Sequence, residues 1–287
     1  MSTNNLTIAE ITRKTIPFLA GKGIPSPRLE ADLMLAAVLG LPRVKLYAEW
    51  DRPLTPAEVQ NYREILAKRV QGWPLAYLTG KKSFLSWEFS VTPAVLIPRP
   101  ETEELVEAAI AAVKGRECLR GADIGTGSGA IVISLAKALP GSSWHGVDIS
   151  SAALEVARAN AINLEVDRQI TFIRGNLMEP LLDSGCKFDL IVANPPYIPS
   201  SVIESLQPEV RKEPRLALDG GPDGLEIYRR LIPDLPRVLT DDGLVMVEHG
   251  HDQRRPLEAL FRSAGYICTS IPDLAGRDRI LTARKLT

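Results

Sequence analysis

Asp123-Ile124-Gly125-Thr126-Gly127-Ser128-Gly129 is the stretch whose reading decides the architecture of this chain. Residues 118–124 lead into it as a predicted strand, and residues 131–139 follow it as a predicted helix. Glycines at such a junction permit a tight turn and let the backbone come close to a ligand. The third glycine arrives one residue earlier than in the dinucleotide pattern G-x-G-x-x-G, and Asp123 sits near the end of the strand. A plain strand-to-helix turn is the competing reading of the spacing alone.

Working outward, helices and strands alternate from residue 105 onward. Strands are expected at residues 118–124, 143–148, 170–174, 188–193, 243–248, 266–271 and 279–284, and helices at 131–139, 152–163, 225–238 and 256–264, with Ser150 capping the second. Seven strands separated by helices imply an α/β fold, a mainly parallel sheet covered on both faces.

The first eighty residues differ. Thr7-Ile8-Ala9-Glu10, Ser26-Pro27 and Thr55-Pro56-Ala57-Glu58 are helix-start signals. Leu33, Met34, Ala37 and Val38 recur at helical spacing, as do Val59, Tyr62, Leu66 and Val70. These stripes are read as the core of a small bundle in preference to a partner-binding face. Between the two regions, Phe84, Trp87, Phe89 and Val91 near alternation, with Pro93, Pro98 and Pro100, suggest a hairpin leading into the larger domain. The expected division is a helical domain at 1–80, a hairpin and linker at 81–104, and the sheet domain at 105–287.

Composition narrows the function classes. A chain of 287 residues, 45% of them hydrophobic and 24% charged, can form one large and one small domain with ordinary cores. No apolar run approaches the roughly 18 to 20 residues that span a bilayer, and the N-terminus lacks the layout of a secretory signal, so a soluble cytoplasmic protein is expected. Cys118, Cys186 and Cys268 are odd in number and scattered, which argues against a disulfide framework and supplies no metal-ligand spacing. His249 and His251 are read as loop residues, and no metal is expected. A formal net charge of -1 gives no overall attraction to nucleic acid.

Three further positions carry chemistry. Asp148 ends the predicted strand about twenty residues past the glycines, where an acid can take the hydroxyls of a ribose; its alternative role is to cap the next helix. After the third strand, Asn176 is placed to hydrogen-bond an adenine edge with Leu177 covering its face, although a turn cap would explain Asn176 equally. Asn194-Pro195-Pro196-Tyr197 follows the apolar run Leu190-Ile191-Val192-Ala193. Its prolines force an extended, stiff backbone at the end of the fourth strand, so its carbonyls point to fixed places.

Those residue types suit one reaction. The nitrogen of an amide or aromatic amine is planar, and its delocalised lone pair is a poor nucleophile. If the Asn194 side-chain carbonyl and the Pro195 backbone carbonyl accept its two N–H bonds, the nitrogen is fixed and its developing positive charge stabilised. No side-chain base is obligatory, because positioning beside a methyl donor supplies much of the rate. Tyr197 offers a flat face for a planar group. The segments together read as an amino-group methyltransferase.

At this point the chain resembles the S-adenosylmethionine-dependent methyltransferases, and more narrowly the release factor glutamine methyltransferase family. The likeness rests on the glycine stretch, Asp148, the Asn-Pro-Pro-Tyr run, and Leu96-Ile97-Pro98-Arg99-Pro100-Glu101-Thr102-Glu103. Pro74-Leu75-Ala76-Tyr77-Leu78-Thr79-Gly80, Glu213-Pro214-Arg215 and Leu218-Asp219-Gly220-Gly221-Pro222-Asp223-Gly224 extend it over nearly the whole chain. The resemblance implies a seven-stranded, Rossmann-like class I methyltransferase sheet behind a helical domain that helps hold a protein substrate. It implies methyl transfer from S-adenosylmethionine, leaving S-adenosylhomocysteine, to the glutamine of the Gly-Gly-Gln tripeptide in class 1 peptide chain release factors. Gly125, Thr126, Gly127, Ser128 and Gly129 would carry the methionine part of the cofactor, Asp148 its ribose, and Asn176 with Leu177 its adenine. Asn194, Pro195, Pro196 and Tyr197 would seat the glutamine, with Asn194, Pro195 and Tyr197 in the catalytic roles and Asn194 also beside the cofactor.

Gly121, Leu177, His249 and Phe84-Leu85-Ser86-Trp87 depart from that family's pattern, the last by lacking a glycine. Two other classes stay open. An exocyclic-amine methyltransferase acting on DNA or RNA would use the same clamp but should also show a basic surface, which the balanced charge disfavours. A non-catalytic module that keeps the cofactor pocket would not need the clamp at all.

Overall fold

A computed structural model describes residues 6–286. The chain separates into two compact units, one running to Lys81 and taking in Gln207–Lys212, the other holding the remaining described residues.

In the first unit, α1 (Ile8–Gly21) and α4 (Pro56–Val70) both open on reciprocal capping boxes. The Thr7 hydroxyl accepts the Glu10 N–H at 3.2 Å while the Glu10 carboxylate accepts the Thr7 N–H at 3.0 Å, satisfying two otherwise orphaned donors. Thr55 and Glu58 repeat the arrangement. α2 (Pro27–Leu39) begins on its proline and ends at Gly40, whose φ of 63° few other residues tolerate. Short helices α3 (Arg43–Ala48) and α5 (Leu75–Thr79) complete the unit around Ile8, Leu19, Met34, Leu35, Leu46 and Tyr62. The predicted stripes are only partly correct here. Ala37 and Val70 are exposed, whereas Ala31, Met34, Leu35 and Ala36 of α2 are buried in the core and Val38 packs partly against it. Arg69 is buried between Glu30 and Glu209, whose carboxylates compensate its charge.

A hairpin of β1 (Lys81–Phe84) and β2 (Trp87–Ser90) opens the second unit, all of it but Lys81 belonging there. Its turn puts Leu85 at φ 51°, a conformation that favours glycine, and the Leu85 N–H donates to the Glu103 carboxylate at 2.8 Å. The missing glycine is therefore a residue held in place by α6 (Pro100–Ala112). Next come β3 (Arg120–Ile124), α7 (Ala130–Ala138), β4 (Ser143–Asp148), α8 (Ser151–Asn163), β5 (Ile170–Arg174), α9 (Glu179–Leu182) and β6 (Phe188–Ala193). α10 (Glu226–Leu231), α11 (Leu235–Val238), β7 (Leu239–Glu248), α12 (Arg254–Ser263), β8 (Tyr266–Pro272) and β9 (Asp278–Lys285) follow.

Strands β3 to β9 form one sheet in the order β5-β4-β3-β6-β7-β9-β8. It is parallel from β5 to β7, and β9 runs antiparallel to both β7 and β8. Alternate residues serve opposite faces: Leu190, Val192, Leu244 and Met246 join one core, Ile191, Ala193, Val245 and Val247 the other. Gly121 has a specific cause. A Cβ there would stand 2.1 Å from the buried Trp144 ring on the neighbouring strand. The single helix expected at 225–238 is instead α10, a 3-10 turn at Ile232–Asp234 and α11, since Pro233 and Pro236 lack the N–H a continuous helix needs.

Between β3 and β6 the strand order reverses, so the segments leaving these two strands diverge and open a crevice at their carboxyl ends. Among the described residues, no helix is long and apolar enough to cross a membrane.

Candidate active site

The segment leaving β3 is stitched to the end of β4. Gly125 and Thr126 both donate to the Val147 carbonyl, at 2.8 and 3.0 Å, and the Gly127 N–H donates to the Asp148 carboxylate at 2.9 Å. Gly125, Gly127 and Gly129 all have positive φ, at 78°, 55° and 82°. A Cβ on Gly125 would meet no atom within 4 Å, whereas one on Gly129 would lie 2.7 Å from Ile133. The first glycine thus keeps a backbone surface open, and the last serves helix packing. Beneath the turn, Asp123 is fully buried and accepts the Thr126 hydroxyl at 2.7 Å; burial pushes its carboxyl up to about 7.

Asp148 accepts the Ser150 N–H at 2.9 Å with its second oxygen. Burial raises its pKa, and the N–H groups of Ser150 and Gly127 pull it back. It does not cap α8, whose first turn is capped by the Ser150 hydroxyl accepting from Ala153 at 3.2 Å. Past β5, the Asn176 carboxamide is held at both ends, donating to Glu179 at 2.9 Å and accepting from Arg230 at 2.8 Å. Leu177 adopts φ 52° beside it.

On the other side of the crevice, β6 delivers Asn194. Its amide nitrogen donates to the Thr102 hydroxyl at 3.0 Å, and that hydroxyl donates to the Glu248 carboxylate at 2.7 Å. The other oxygen of Glu248 accepts the Tyr197 hydroxyl at 3.3 Å. Glu248 is the last residue of β7, next in register to the Ala193/Val247 pair, and burial pushes its carboxyl up to about 7. Burial raises the Tyr197 hydroxyl as well. Behind the run, Gln253 donates to the Tyr197 carbonyl at 2.8 Å, and a bridge joins Ile198 to the Leu218–Gly220 segment. A Cβ on Gly220 would stand 2.7 Å from the Pro196 carbonyl oxygen. The quoted Leu218–Gly224 run thus packs directly on the proline segment.

A cavity of about 230 Å³ brings the sequence-predicted segments together. Gly125, Thr126, Gly127, Ser128, Asp148, Asn176, Leu177, Asn194, Pro195 and Pro196 all line it. Gly129 and Tyr197 stand outside the lining; Tyr197 packs partly into the core on one sheet face. Reading the sequence missed Thr102, Glu248 and Arg230. For Glu248 a signal existed, an acid closing the apolar run Leu244-Val245-Met246-Val247 beside the strand that ends at Asn194. His249 is buried with Nδ1 2.8 Å from the Gly250 carbonyl, and among the described residues no three His, Cys, Asp or Glu side chains are grouped to hold a metal ion.

Residues 10–80 match the model of the PrmC N-terminal domain, and residues 119–272 match a methyltransferase domain. The release factor glutamine methyltransferase of Moorella thermoacetica is 43% identical over 280 residues, covering 97% of this chain and 98% of that relative. The chain belongs to the release factor glutamine methyltransferase family. A second member of the family, from Geobacter sulfurreducens, is also 43% identical, over 97% of this chain and 96% of its own length. The T. thermophilus 16S rRNA N2 G1207 methyltransferase, solved with AdoMet and guanosine, is 17% identical with a TM-score of 0.52, covering 71% of this chain and 49% of that one. It shares the fold alone. The seven-stranded sheet and the helical first unit agree with the class I methyltransferase fold expected of a family member.

Proposed function

We propose that this enzyme transfers a methyl group from S-adenosylmethionine to the side-chain amide nitrogen of the glutamine in the Gly-Gly-Gln tripeptide of class 1 peptide chain release factors. The observation that carries this reading is near full-length membership of the family together with a cavity that joins the glycine turn to Asn194 and Pro195.

The cavity suits such a cofactor on its own terms. The open backbone at Gly125, the Asp148 carboxylate and the Asn176–Leu177 corner all line it and come from three neighbouring strands, β3, β4 and β5, so they would take an aminoacyl chain, a ribose and a base respectively. When bound, S-adenosylmethionine supplies an electron-poor methyl group on a sulfonium and leaves as S-adenosylhomocysteine.

The chain's own residues do the rest. Asn194 spends its NH2 on Thr102, and its carbonyl oxygen has no partner among the described residues. That oxygen and the Pro195 carbonyl accept the two N–H bonds of the glutamine carboxamide, turning its nitrogen lone pair toward the methyl carbon. Both acceptors gain strength as positive charge grows on nitrogen, so they stabilise the transition state more than the bound amide. The proton then leaves the alkylated nitrogen, which has become acidic, for solvent. The helical region at 1–80 is proposed to recognise the protein substrate, with 81–104 as its connection to the catalytic region at 105–287.

The test is incubation with labelled S-adenosylmethionine and, separately, a release factor, RNA and DNA, followed by mass spectrometry of the labelled product. Label on the Gly-Gly-Gln glutamine is expected; label on nucleic acid, or on another residue of the release factor, would sink the reading.

A further inference from the structure

The buried chain from Asn194 through Thr102 to Glu248 has a direction, and that direction decides which end of the Asn194 carboxamide is free. A hydroxyl has one proton to give and lone pairs to receive with. Thr102 points its proton at Glu248, 2.7 Å away, so it can meet Asn194 only as an acceptor, 3.0 Å from the amide nitrogen. The carbonyl of Asn194 is thereby left over. Reverse the chain, with a donor where the Glu248 oxygen stands, and Thr102 would give its proton to the Asn194 carbonyl, leaving an NH2 free where an acceptor is needed.

We infer that Thr102 and Glu248 are positioning residues that fix the polarity of the Asn194 carboxamide, and that a glutamine at position 248 would invert it. The Tyr197 hydroxyl, 3.3 Å from the other Glu248 oxygen, selects the inverted arrangement in such a variant. It would attract the new side chain's carbonyl and turn its NH2 toward Thr102. Thr102 lies on α6 and Glu248 on β7, Asn194 follows β6 directly and Tyr197 stands three residues beyond it, and both Thr102 and Glu248 are buried, so solvent does not scramble the relay. This inference rests on the methyl-transfer reading only for its kinetic consequence; the hydrogen-bond direction stands apart from it.

The experiment compares the full-length enzyme with Thr102→Val, Thr102→Ser and Glu248→Gln. It measures turnover on a release factor, affinity for S-adenosylmethionine, and water exchange of the Asn194 side-chain NH2 by NMR, assigned from its absence in Asn194→Ala. Thr102→Val and Glu248→Gln should lower kcat about tenfold or more with cofactor affinity within about threefold, while Thr102→Ser stays within about threefold of wild type. The Asn194 NH2 should be protected in wild type and Thr102→Ser and exposed to exchange in Thr102→Val. The inference is overturned by a Thr102→Val enzyme with turnover within about twofold of wild type, by an NH2 signal indifferent to that change, or by equal losses in Thr102→Ser and Thr102→Val. A wild-type enzyme that methylates no release factor, yet whose Asn194 signal responds as described, would defeat the methyl-transfer reading and leave the relay standing.

Discussion

The two walls of the cavity are held by different kinds of connection. On the glycine side, Gly125, Thr126 and Gly127 bond to Val147 and Asp148, so the ends of adjacent strands and their backbone N–H groups are the fasteners. On the proline side, Asn194 is held by the side chain of Thr102, 92 residues earlier, which is held in turn by Glu248, 146 residues later than Thr102. At the glycine turn the fasteners are backbone N–H groups reaching the next strand, and at Asn194 they are side chains far apart in sequence. The first should tolerate changes that keep the turn, and its failures should appear in cofactor affinity. The second should fail in turnover.

The largest effect expected is that of Asn194→Ala. Removing one preorganised charge-stabilising group from an active site typically costs 10²–10³-fold in kcat, and here the residue also orients the nucleophile, so a loss of about 10³-fold is predicted. Calorimetry with S-adenosylmethionine should show affinity within about threefold of wild type. A variant that keeps its rate would show that the acceptor wall does not depend on Asn194.

Asp148→Ala should produce the mirror image. It removes a carboxylate that holds the Gly127 and Ser150 N–H groups and, in the proposed function, the cofactor ribose. Hydrogen bonds to charged groups contribute about 1.5–3 kcal/mol, which predicts a cofactor dissociation constant raised about 10²-fold. With cofactor in excess, kcat should recover to within about fivefold. Equal damage to affinity and saturated turnover would dissolve the distinction between the walls.

What could be read from the sequence follows the same division. The strands at Ser143–Asp148, Ile170–Arg174 and Phe188–Ala193 have the expected bounds: the buried central strand Phe188–Ala193 is a near-continuous apolar run, while the edge strand Ile170–Arg174 and its neighbour mix apolar and polar residues between turns. The glycine turn and Asn194 sit directly after such strands and Asp148 closes one, so their places follow from local pattern. Thr102 lay within a quoted run, yet nothing local distinguishes it from the other residues of a helix's first turn. Its partner belongs to a strand far along the chain, and only the sheet order that sets β6 beside β7 brings them together. The break in the helix at 225–238 was visible in Pro233 and Pro236, whereas Asn176's clasp by Arg230 depends on a fold-level approach over 54 residues.

The proline wall also contains the one titratable group whose charge the relay depends on. Glu248 is pushed up to about 7 by burial and by Glu101, against the Thr102 and Tyr197 hydrogen bonds and the Arg279 charge; Tyr228 is a further neighbour. Raised pKa means that the carboxyl is protonated below about 7 and ionised above it. A proton between Glu248 and Thr102 would free Thr102 to donate to the Asn194 carbonyl, inverting the relay. Saturated turnover should therefore rise with pH, from about a tenth of its maximum one unit below that pKa to its plateau above pH 8. Glu248→Gln should flatten the profile at its low level. A wild-type profile without an inflection near neutrality would separate the relay from Glu248 ionisation.

The smallest effect tests a contact that belongs to neither wall yet fixes the helix supplying Thr102. Leu85 stands at φ 51° in the hairpin turn, with its N–H on Glu103 of the helix that carries Thr102. The left-handed conformation costs an ordinary residue about 1–2 kcal/mol, so Leu85→Gly relieves strain. The same change removes a partly buried side chain packed on the core and adds about 0.5–1 kcal/mol of backbone entropy to the unfolded state. These terms oppose each other, and a net change in unfolding free energy below about 1 kcal/mol is expected in urea titration. Because the Glu103 hydrogen bond uses the backbone of residue 85, it survives the substitution, and turnover should stay within about twofold. A loss above about 2 kcal/mol accompanied by falling turnover would mean that the Leu85 side chain, and not its backbone, keeps α6 and therefore Thr102 in place.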